Sequence, residues 1–379
     1  MRCAVLIGAA LLAVAATDRA ALAVSSADVG RTIAMVFAGD PGAAGGDVNA
    51  DGWATAADVG GTVLGLRSPT QPGPFGVGVQ QITFTKASET KPDQPRPLQT
   101  VIWYPTTLGA GPIDRKLGGV VNAPLAAGTA ALPLLLFSHG SCGMPTQSLF
   151  LTPLLASYGM IVAAPPHPGN QLQDFPNCST PAEQVDSFLN RVADITFVLD
   201  SLLQLNEDSG SFVYRAIDAS RAGMSGHSFG GQTTLRVCAL DQRVIAGLAL
   251  APALAPIQAV VPSIRVPMMV QDGELDTLTP FTANAQATYD LLRSPRALLE
   301  IFETGHFAFS DGCFPGFSDC GPNTLTQDQA HLYVLRYAVP FVLHWLAGDD
   351  RFDAFLAPAV TPPGARFTAD PTTHIVLLH

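Results

Sequence analysis

A glycine-rich turn around Ser228 constrains the fold more than any other feature of the sequence. The segment GHSFG, residues 226–230, fits the pattern G-x-S-x-G, in which a serine lies on a sharp turn between a strand and a helix. The run RAGMS before it is short and apolar, as in a buried strand, and the run FGGQTTLRVCAL after it has helical character. Side chains in place of the two glycines would collide in such a turn. The segment therefore predicts a strand, a strained turn at Ser228 and a helix.

Two serines lie in this segment, but only one has the required spacing. Ser225 has Gly223 two places before it and His227, not glycine, two places after it. Ser228 is therefore the candidate for a serine whose hydroxyl stands clear of a sheet.

Alternating strand-like and helix-like runs fill the rest of the chain after about residue 79. The two longest helical runs are PAEQVDSFLNRVADITFVLDSLLQL and QDQAHLYVLRYAVPFVLHWLAG. Apolar strands that alternate with helices predict an α/β fold with a mostly parallel sheet covered on both faces. We predict eight strands, the first two as a hairpin. They are QQITFTK, LQTVIWYP, LPLLLFSHG, MIVAAP, RAGMSG, RVIAGLALAP, VPMMVQDG and RALLEIFETG.

Composition and charge exclude several classes of protein. Hydrophobic residues make up 47% of the chain and charged residues 13%, so a large core is available and a disordered chain is excluded. The net charge is −11, and no cluster of lysine or arginine offers a footprint for phosphate. Nucleic acid and anionic membrane surfaces are therefore not expected partners.

The N-terminus is typical of a secretory signal peptide. One arginine precedes an apolar run of roughly a dozen residues and a stretch of small residues that ends in Ala21-Leu22-Ala23. We predict a signal peptide over residues 1–23, with Ala13-Val14-Ala15 as the alternative cleavage signal. The apolar run is short for a membrane span, so the expected location is secreted or periplasmic.

Export would place the other five cysteines where disulfides form. Cys313 and Cys320 bracket a short loop and form one predicted pair. Cys142 and Cys178 both fall in predicted loops and form a second, although spacing alone does not fix the connectivity. Cys238 lies inside the apolar helix after Ser228, so we expect it to be a buried free thiol.

An internal repeat precedes the sheet, because SADVGRTIAMVFAG at 26–39 is echoed by AADVGGTVLGLRS at 56–68. Before the second copy, DVNADGWATAAD places oxygen ligands at positions 1, 3, 5 and 12 of a calcium loop, with glycine at position 6. A backbone carbonyl at position 7 completes the set. The predicted calcium ligands are Asp47, Asn49, Asp51, Trp53 and Asp58.

This segment resembles a type I dockerin module, in which Asp commonly closes the loop and a helix follows. The resemblance implies a small helical, EF-hand-like module over residues 24–66 that holds structural Ca²⁺, with a cohesin-like partner. The first half of the pattern lacks ligands, because Thr17, Arg19 and Ala21 stand at the corresponding positions. RSPTQPGPFGVG then supplies a predicted linker over residues 67–78, before a catalytic domain over 79–379.

A serine hydroxyl is a poor nucleophile at neutral pH, so it needs a histidine base and an acid that orients the base. The expected chain order is serine, acid, histidine. Asp276 lies just beyond the seventh predicted strand and is the predicted acid; Asp272 is the alternative, with bracing of that turn as its other role. His306 follows the eighth strand in FETGHFAF and is the predicted base. This chemistry requires no cofactor.

Two backbone N–H groups are expected to bind the oxyanion that forms during acyl transfer. Phe229 follows the serine and supplies one of them. Ser141, in the LFSHGSCG turn after the third predicted strand, supplies the other. We expect His139 to shape this turn and His227 to pack beside the serine.

With these residues in place, residues 79–347 resemble the secreted dienelactone hydrolase-like and platelet-activating-factor acetylhydrolase-like group of α/β-hydrolases. The matching phrases are VIWYP, LLLFSHG, MIVAAPPHPGN, FVLDSL and RAGMSGHSFGGQTTL. The resemblance implies hydrolysis of esters or lactones by a catalytic serine without a cofactor. Its catalytic serine, acid and histidine map onto Ser228, Asp276 and His306. True dienelactone hydrolases have cysteine where Ser228 stands, which favours esters over lactones.

The sequence therefore predicts a secreted serine carboxylesterase. The segment APALAPIQAVVPSIR between the sixth and seventh predicted strands is short and leaves little room for a large lid. An open site favours short-chain or exposed esters, including polyesters and acetylated polysaccharides. The alternative is a non-catalytic, calcium-dependent attachment protein on a hydrolase scaffold.

Overall fold

A ten-stranded open sheet runs through the part of the chain that this computed structural model describes, residues 68–312, 321 and 324–370. The strand order across the sheet is β3-β1-β2-β5-β4-β6-β7-β8-β9-β10. The strands are β1 Gly76–Ala87, β2 Pro95–Thr106, β3 Val120–Val121, β4 Leu132–Ser138, β5 Ile161–Ala164, β6 Ile217–His227, β7 Val244–Leu250, β8 Met268–Gly273, β9 Arg296–Ile301 and β10 Ala365–Ala369.

The centre of the sheet is parallel and its two sides are mixed. Strands β4 to β9 pair in parallel, whereas β2 is antiparallel to β5 and β1, and β10 is antiparallel to β9. The predicted hairpin is confirmed as β1 and β2, which pair from Gly76 opposite Thr106 to Ala87 opposite Pro95. A mostly parallel sheet is therefore confirmed.

All eight predicted strands form, but the predicted total of eight is wrong for the described residues. The small strand β3 adds two residues beside β1, which is too short to show an alternating pattern in the sequence. Strand β10 lies beyond the last helix and extends the other side of the sheet. Its buried and exposed residues alternate, as in a strand with one solvent-facing side, so its pattern was readable and was missed.

Five α-helices lie among the described residues and cover both faces of the sheet. Within β4, Leu135 and Phe137 point to one core and Leu134 and Leu136 to the other, because successive side chains alternate across a strand. The first core is closed by α1 and α5, and the second by α2, α3 and α4. The helices are α1 Thr152–Ser157, α2 Pro181–Glu207, α3 Phe229–Leu240, α4 Ala285–Leu291 and α5 Gln327–Val342.

The three predicted long helices all form. Helix α2 has Pro181 at its first position, and the Thr180 side chain accepts the backbone N–H of Glu183, which is a common N-terminal cap. Helix α3 begins directly after Ser228. None of the helices that the structure describes has the length and apolar character needed to cross a bilayer.

Residues of the predicted linker lie against the end of α1. The backbone N–H of Gly73 donates to Ser157 Oγ at 2.8 Å, and that of Phe75 donates to Ser157 O at 3.1 Å. The predicted signal peptide, the predicted calcium ligands and the predicted pair of Cys313 and Cys320 lie outside the described residues.

Candidate active site

The turn at Ser228 has the strained geometry that its glycines predict. Ser228 has φ 58° and ψ −118°, a conformation that costs a non-glycine residue about 1–3 kcal/mol. Its N–H donates to Leu250 O of β7 at 2.9 Å. A Cβ atom on Gly226 would lie 2.6 Å from Ser138 O, and one on Gly230 would overlap that same oxygen. The predicted strand, turn and helix are therefore confirmed, because only glycine fits beside β4.

Ser225 is less exposed than Ser228, which is half-buried. It is fully buried inside β6, and its hydroxyl makes no hydrogen bond to the residues that the structure describes. A hydroxyl inside the sheet is out of reach of a substrate, which agrees with the choice of Ser228 from the glycine spacing.

Asp276 and His306 lie in direct contact, on the loops that follow β8 and β9. His306 Nδ1 lies 2.6 Å from Asp276 Oδ2. The other carboxylate oxygen, Oδ1, accepts the N–H groups of Leu278 at 2.8 Å and Thr279 at 2.7 Å. The Thr279 hydroxyl donates to Oδ2 at 2.9 Å. An ionised carboxylate is the acceptor that suits these four donors.

The electrostatics of Asp276 keep it ionised. Burial alone would raise the pKa of Asp276, but the hydrogen bond and charge of His306 and the N–H of Thr279 outweigh it and lower the pKa to about 2. Because Asp276 is then an acceptor only, His306 Nδ1 carries the proton of this hydrogen bond. The second ring nitrogen, Nε2, is thereby left as the basic one.

Asp272, the alternative acid, is fully buried at the end of β8, and the carboxylate bonded to His306 Nδ1 is that of Asp276. Asp272 Oδ1 accepts the N–H of Gly273 at 2.8 Å, which braces the turn. Burial, followed by the negative charge of Asp276, raises the pKa of Asp272 well above its ordinary value. The two acids therefore differ in proton affinity, since the pKa of Asp276 is lowered and that of Asp272 is raised.

The turn after β4 lies against the serine. A Cβ atom on Gly140 would be 3.4 Å from Ser228 Cβ, so the backbone just before Ser141 lies close to the Ser228 side chain. The Ser141 hydroxyl accepts from Gln184 Nε2 at 2.7 Å. Phe229 is the first residue of α3, and the first N–H groups of a helix have no acceptor within it.

Gln147 and His227 join the three loops of the site, and this role was missed in the sequence. The Gly140 N–H donates to Gln147 Oε1 at 2.9 Å, and Gln147 Nε2 lies 3.0 Å from His227 Nδ1. His227 Nε2 lies 2.9 Å from His306 O. Burial, then the charge of His306, lowers the pKa of His227 well below its ordinary value. Neutral His227 therefore accepts from Gln147 at Nδ1 and donates to His306 O from Nε2.

The predicted disulfide between Cys142 and Cys178 is confirmed. It ties the turn after β4 to the segment after β5, and the Leu172 N–H reinforces this connection by donating to Gly143 O at 2.8 Å. Cys238 is a buried free thiol, as predicted, and burial raises its pKa. A buried thiol with a raised pKa is a poor nucleophile.

Within residues 68–312 and 324–370, no three His, Cys, Asp or Glu side chains are grouped so as to hold a metal ion. The predicted calcium ligands precede these residues.

Residues 118–370 match a protein-family model described as PETase, PET hydrolase-like. The chain belongs to the PET hydrolase-like family. The matched range contains Ser228, Asp276 and His306. The predicted α/β-hydrolase fold therefore agrees with the family, and the finer grouping with dienelactone hydrolase-like and platelet-activating-factor acetylhydrolase-like proteins stays a prediction.

Curated proteins similar to this PET hydrolase-like chain are also ester hydrolases by name. Cutinase est1 of Thermobifida alba is 26% identical over 243 residues, which cover 64% of this chain and 69% of that protein. Cutinase est2 of Thermobifida alba is 27% identical over 243 residues, with 64% and 68% covered. Bis(hydroxyethyl) terephthalate hydrolase of Streptomyces coelicolor is 25% identical over 247 residues, with 65% and 67% covered.

The raised pKa of buried Asp272 gives a testable pH dependence of stability. A carboxyl group whose pKa is raised on folding stabilises the folded state at a pH below its unfolded pKa of about 3.9. This stabilisation is lost as the pH rises towards the folded pKa. We expect Asp272→Asn, which cannot ionise, to gain stability relative to the natural chain as the pH rises from about 4 to 6, by at most about 1.4 kcal/mol per pH unit. Guanidinium chloride unfolding at about pH 4, 5 and 6 measures this difference.

Asp93→Asn is the matched control, since it removes a carboxyl group from an exposed position. Its stability relative to the natural chain should depend less on pH. Equal pH dependence for the two variants would show that Asp272 is ionised in the folded protein.

Proposed function

We propose that this protein is a secreted serine carboxylic-ester hydrolase that acts through an acyl-enzyme on Ser228. The observation that carries the proposal is the hydrogen-bonded pair of Asp276 and His306. A hydrogen bond between His227 and His306 O links this pair to the strained turn at Ser228. Membership of the PET hydrolase-like family supports it. The disulfide between Cys142 and Cys178 supports an oxidising compartment.

In the first half of the reaction, Ser228 Oγ attacks the ester carbonyl carbon and His306 Nε2 takes the hydroxyl proton. The carbonyl π electrons move to the oxygen and form a tetrahedral oxyanion, which the N–H groups of Phe229 and Ser141 stabilise. Collapse of this intermediate breaks the bond to the alkoxy oxygen, and His306 returns its proton to the leaving alcohol. Ionised Asp276 holds the imidazole in place and stabilises its protonated form.

In the second half, water attacks the acyl-enzyme while His306 again accepts a proton. The second tetrahedral oxyanion collapses, His306 protonates Ser228 Oγ, and the carboxylic acid leaves. Both halves use the same N–H donors and require no metal ion or organic cofactor.

The substrate class proposed is exposed or short-chain esters, including polyesters. Cutinases and a terephthalate-ester hydrolase among the relatives support this class. Exposed apolar side chains stand on the segments that flank the site. Leu275 and Leu278 lie on either side of Asp276 in the chain. The Leu172 N–H donates to Gly143 O, and Phe175 lies three residues after Leu172. We infer that these four residues together form an apolar rim of the site.

Replacement of the candidate nucleophile tests the mechanism. We expect Ser228→Ala to lower kcat for p-nitrophenyl acetate about 10⁴-fold or more, since a missing nucleophile removes covalent catalysis. A fluorophosphonate probe should label the natural chain at Ser228 and leave the variant unlabelled. Release of p-nitrophenol measures kcat, and active-site titration followed by peptide mapping measures the labelling.

Ser225→Ala is the matched control, three residues earlier on β6, which ends just before Ser228. Its hydroxyl is buried without a hydrogen bond to the described residues, so kcat should stay within about twofold of the natural chain. Labelling at Ser225, or full activity in Ser228→Ala, would contradict the proposed nucleophile. An unreactive natural chain would favour the non-catalytic alternative.

The apolar rim predicts a preference that depends on polymer contact. Leu278 is 47% exposed, and we expect Leu278→Ser to lower the ratio of polyester-film hydrolysis to p-nitrophenyl acetate hydrolysis several-fold. The control is Leu240→Ser, at an exposed leucine that ends α3 about 18 Å from the turn at Ser228. Soluble product released from the film and p-nitrophenol release are measured together. An equal ratio in both variants would exclude the rim from polymer binding.

We also propose that the segment before the sheet binds structural Ca²⁺ through Asp47, Asn49, Asp51, Trp53 and Asp58. Its support is the spacing of these residues in the sequence. A module of roughly forty residues has too small a core to fold securely without a metal or a partner. A cohesin-like partner for this module stays a prediction.

Removal of calcium should then unfold the N-terminal module and leave the esterase activity unchanged. In EDTA, we expect limited proteolysis to cut before about residue 78 while esterase turnover persists, because a serine, acid and histidine need no metal. Calcium should restore protection. Rapid loss of activity that calcium reverses would show that the two parts are coupled.

A further inference from the structure

A buried arginine lies directly beneath the turn that is proposed to bind the oxyanion. Arg191, on α2, is 0% exposed. Its guanidinium donates to the carbonyl oxygens of His139 at 2.6 Å and Gly140 at 3.1 Å, and to Ser138 Oγ at 3.1 Å. One side chain therefore forms hydrogen bonds to all three residues that precede Ser141.

This arrangement fixes the direction of the Ser141 N–H group. In a trans peptide unit, the carbonyl of one residue and the N–H of the next point in opposite directions. The Gly140 carbonyl points to Arg191, so the Ser141 N–H points away from the guanidinium. A cation bound to the carbonyl also polarises the peptide unit and makes its N–H a stronger donor.

The same guanidinium contacts the side chain of Phe229, whose backbone N–H is the second proposed donor. Its central carbon lies 4.3 Å from the centre of the Phe229 ring, within the range of a cation–π interaction. Arg191 therefore touches both residues that flank the oxyanion site, the Gly140–Ser141 peptide unit on one side and the start of α3 on the other.

The hydrogen bonds of Arg191 all go to neutral acceptors. Besides the three above, they go to Ser187 Oγ at 2.9 Å and Asn170 Oδ1 at 2.7 Å. Burial lowers the pKa of Arg191 to about 9, so the group is charged at neutral pH. A buried cation that binds no carboxylate is costly, and such groups concentrate at functional sites.

The neighbouring carboxylate is shared with other partners. Asp194 accepts both Arg96 Nε at 2.7 Å and Arg96 Nη2 at 2.8 Å, and lies 2.9 Å from His167 Nδ1. Burial, followed by the charge of Arg191, lowers the pKa values of His139 and His167 well below their ordinary range. Among the described residues, the Asp194 carboxylate therefore binds the guanidinium of Arg96 and not that of Arg191.

We propose that Arg191 is a positioning residue of the oxyanion hole, which aims the Ser141 N–H and places a buried positive charge beneath the developing oxyanion. The inference rests on the proposed function. The charge favours the tetrahedral intermediate, which is an anion, over the neutral bound ester, so it acts on kcat and not on KM.

Ser187 allows the charge to be tested while Arg191 is kept. Ser187 Oγ contacts Nε of Arg191, on α2 and away from the turn. Ser187→Asp would neutralise the guanidinium, and Ser187→Asn has nearly the same size without the charge. We expect Ser187→Asp to lower kcat for p-nitrophenyl acetate about tenfold relative to Ser187→Asn, with KM changed less than twofold.

A transition-state analogue gives a second readout. Ser228 would convert an alkyl trifluoromethyl ketone into a tetrahedral hemiketal anion, so its inhibition constant should rise about tenfold in Ser187→Asp relative to Ser187→Asn. Equal kcat and equal inhibition constants in the two variants would overturn the role of the charge. A change in KM alone would do the same.

Substitution of Arg191 tests the same inference independently. Arg191→Lys keeps the charge and should retain more kcat than Arg191→Met. Arg236→Met is the control, because Arg236 also lies over an aromatic ring, Phe188 at 3.8 Å, and donates to its carbonyl oxygen. The control should match the natural chain.

The outcomes are separable from failure of the proposed function. Where an Arg191 variant does not fold, the Ser187 pair decides, and where Ser187→Asp does not fold, Arg191→Lys against Arg191→Met decides. A natural chain without esterase turnover or fluorophosphonate labelling would overturn the proposed function itself. An active, labelled natural chain with equal kcat in all variants would overturn only the role of Arg191.

Discussion

The close contact between two backbone segments is the constraint on which the site depends. Strand β4 and the start of α3 approach so closely that Ser138 O occupies the space where side chains at Gly226 and Gly230 would lie. This contact forces Ser228 into a conformation with positive φ, and the same contact brings the turn after β4 against Ser228. The candidate nucleophile and the proposed oxyanion site are therefore placed by the same close approach of the two segments.

Hydrogen bonds through buried neutral groups then join this pair to the base. Gln147 and His227 span from the Gly140 N–H to the carbonyl of His306. Each of them uses both a donor and an acceptor, so the direction of every bond in the path is defined. Because unmade buried hydrogen bonds are costly, this path holds three loops from different strands in one arrangement, while the apolar cores above and below the sheet hold the strands themselves.

Much of the fold was readable because it follows from local chemistry. The glycines around Ser228, the apolar runs of the eight strands and the long helices each report a requirement of the chain near them. The order of Asp276 and His306 was readable from their places after β8 and β9. Contacts between distant segments were not readable, since Gln147 meets His227 only after folding. Arg191 and Asp194 left one signal, which is two charged residues on the buried side of α2 beside Ile195 and Val198.

The disulfide has a consequence for where this fold can mature. Cys142 and Cys178 close a loop that contains α1 and β5, and a cross-link of this span removes about 4 kcal/mol of chain entropy from the unfolded state. Cys142 has positive φ, a backbone conformation that a reduced thiol does nothing to hold. A chain produced in a reducing cytoplasm would therefore leave the segment beside Ser141 held by fewer constraints. The redox state of the compartment in which the chain folds therefore determines how firmly the segment beside Ser141 is held.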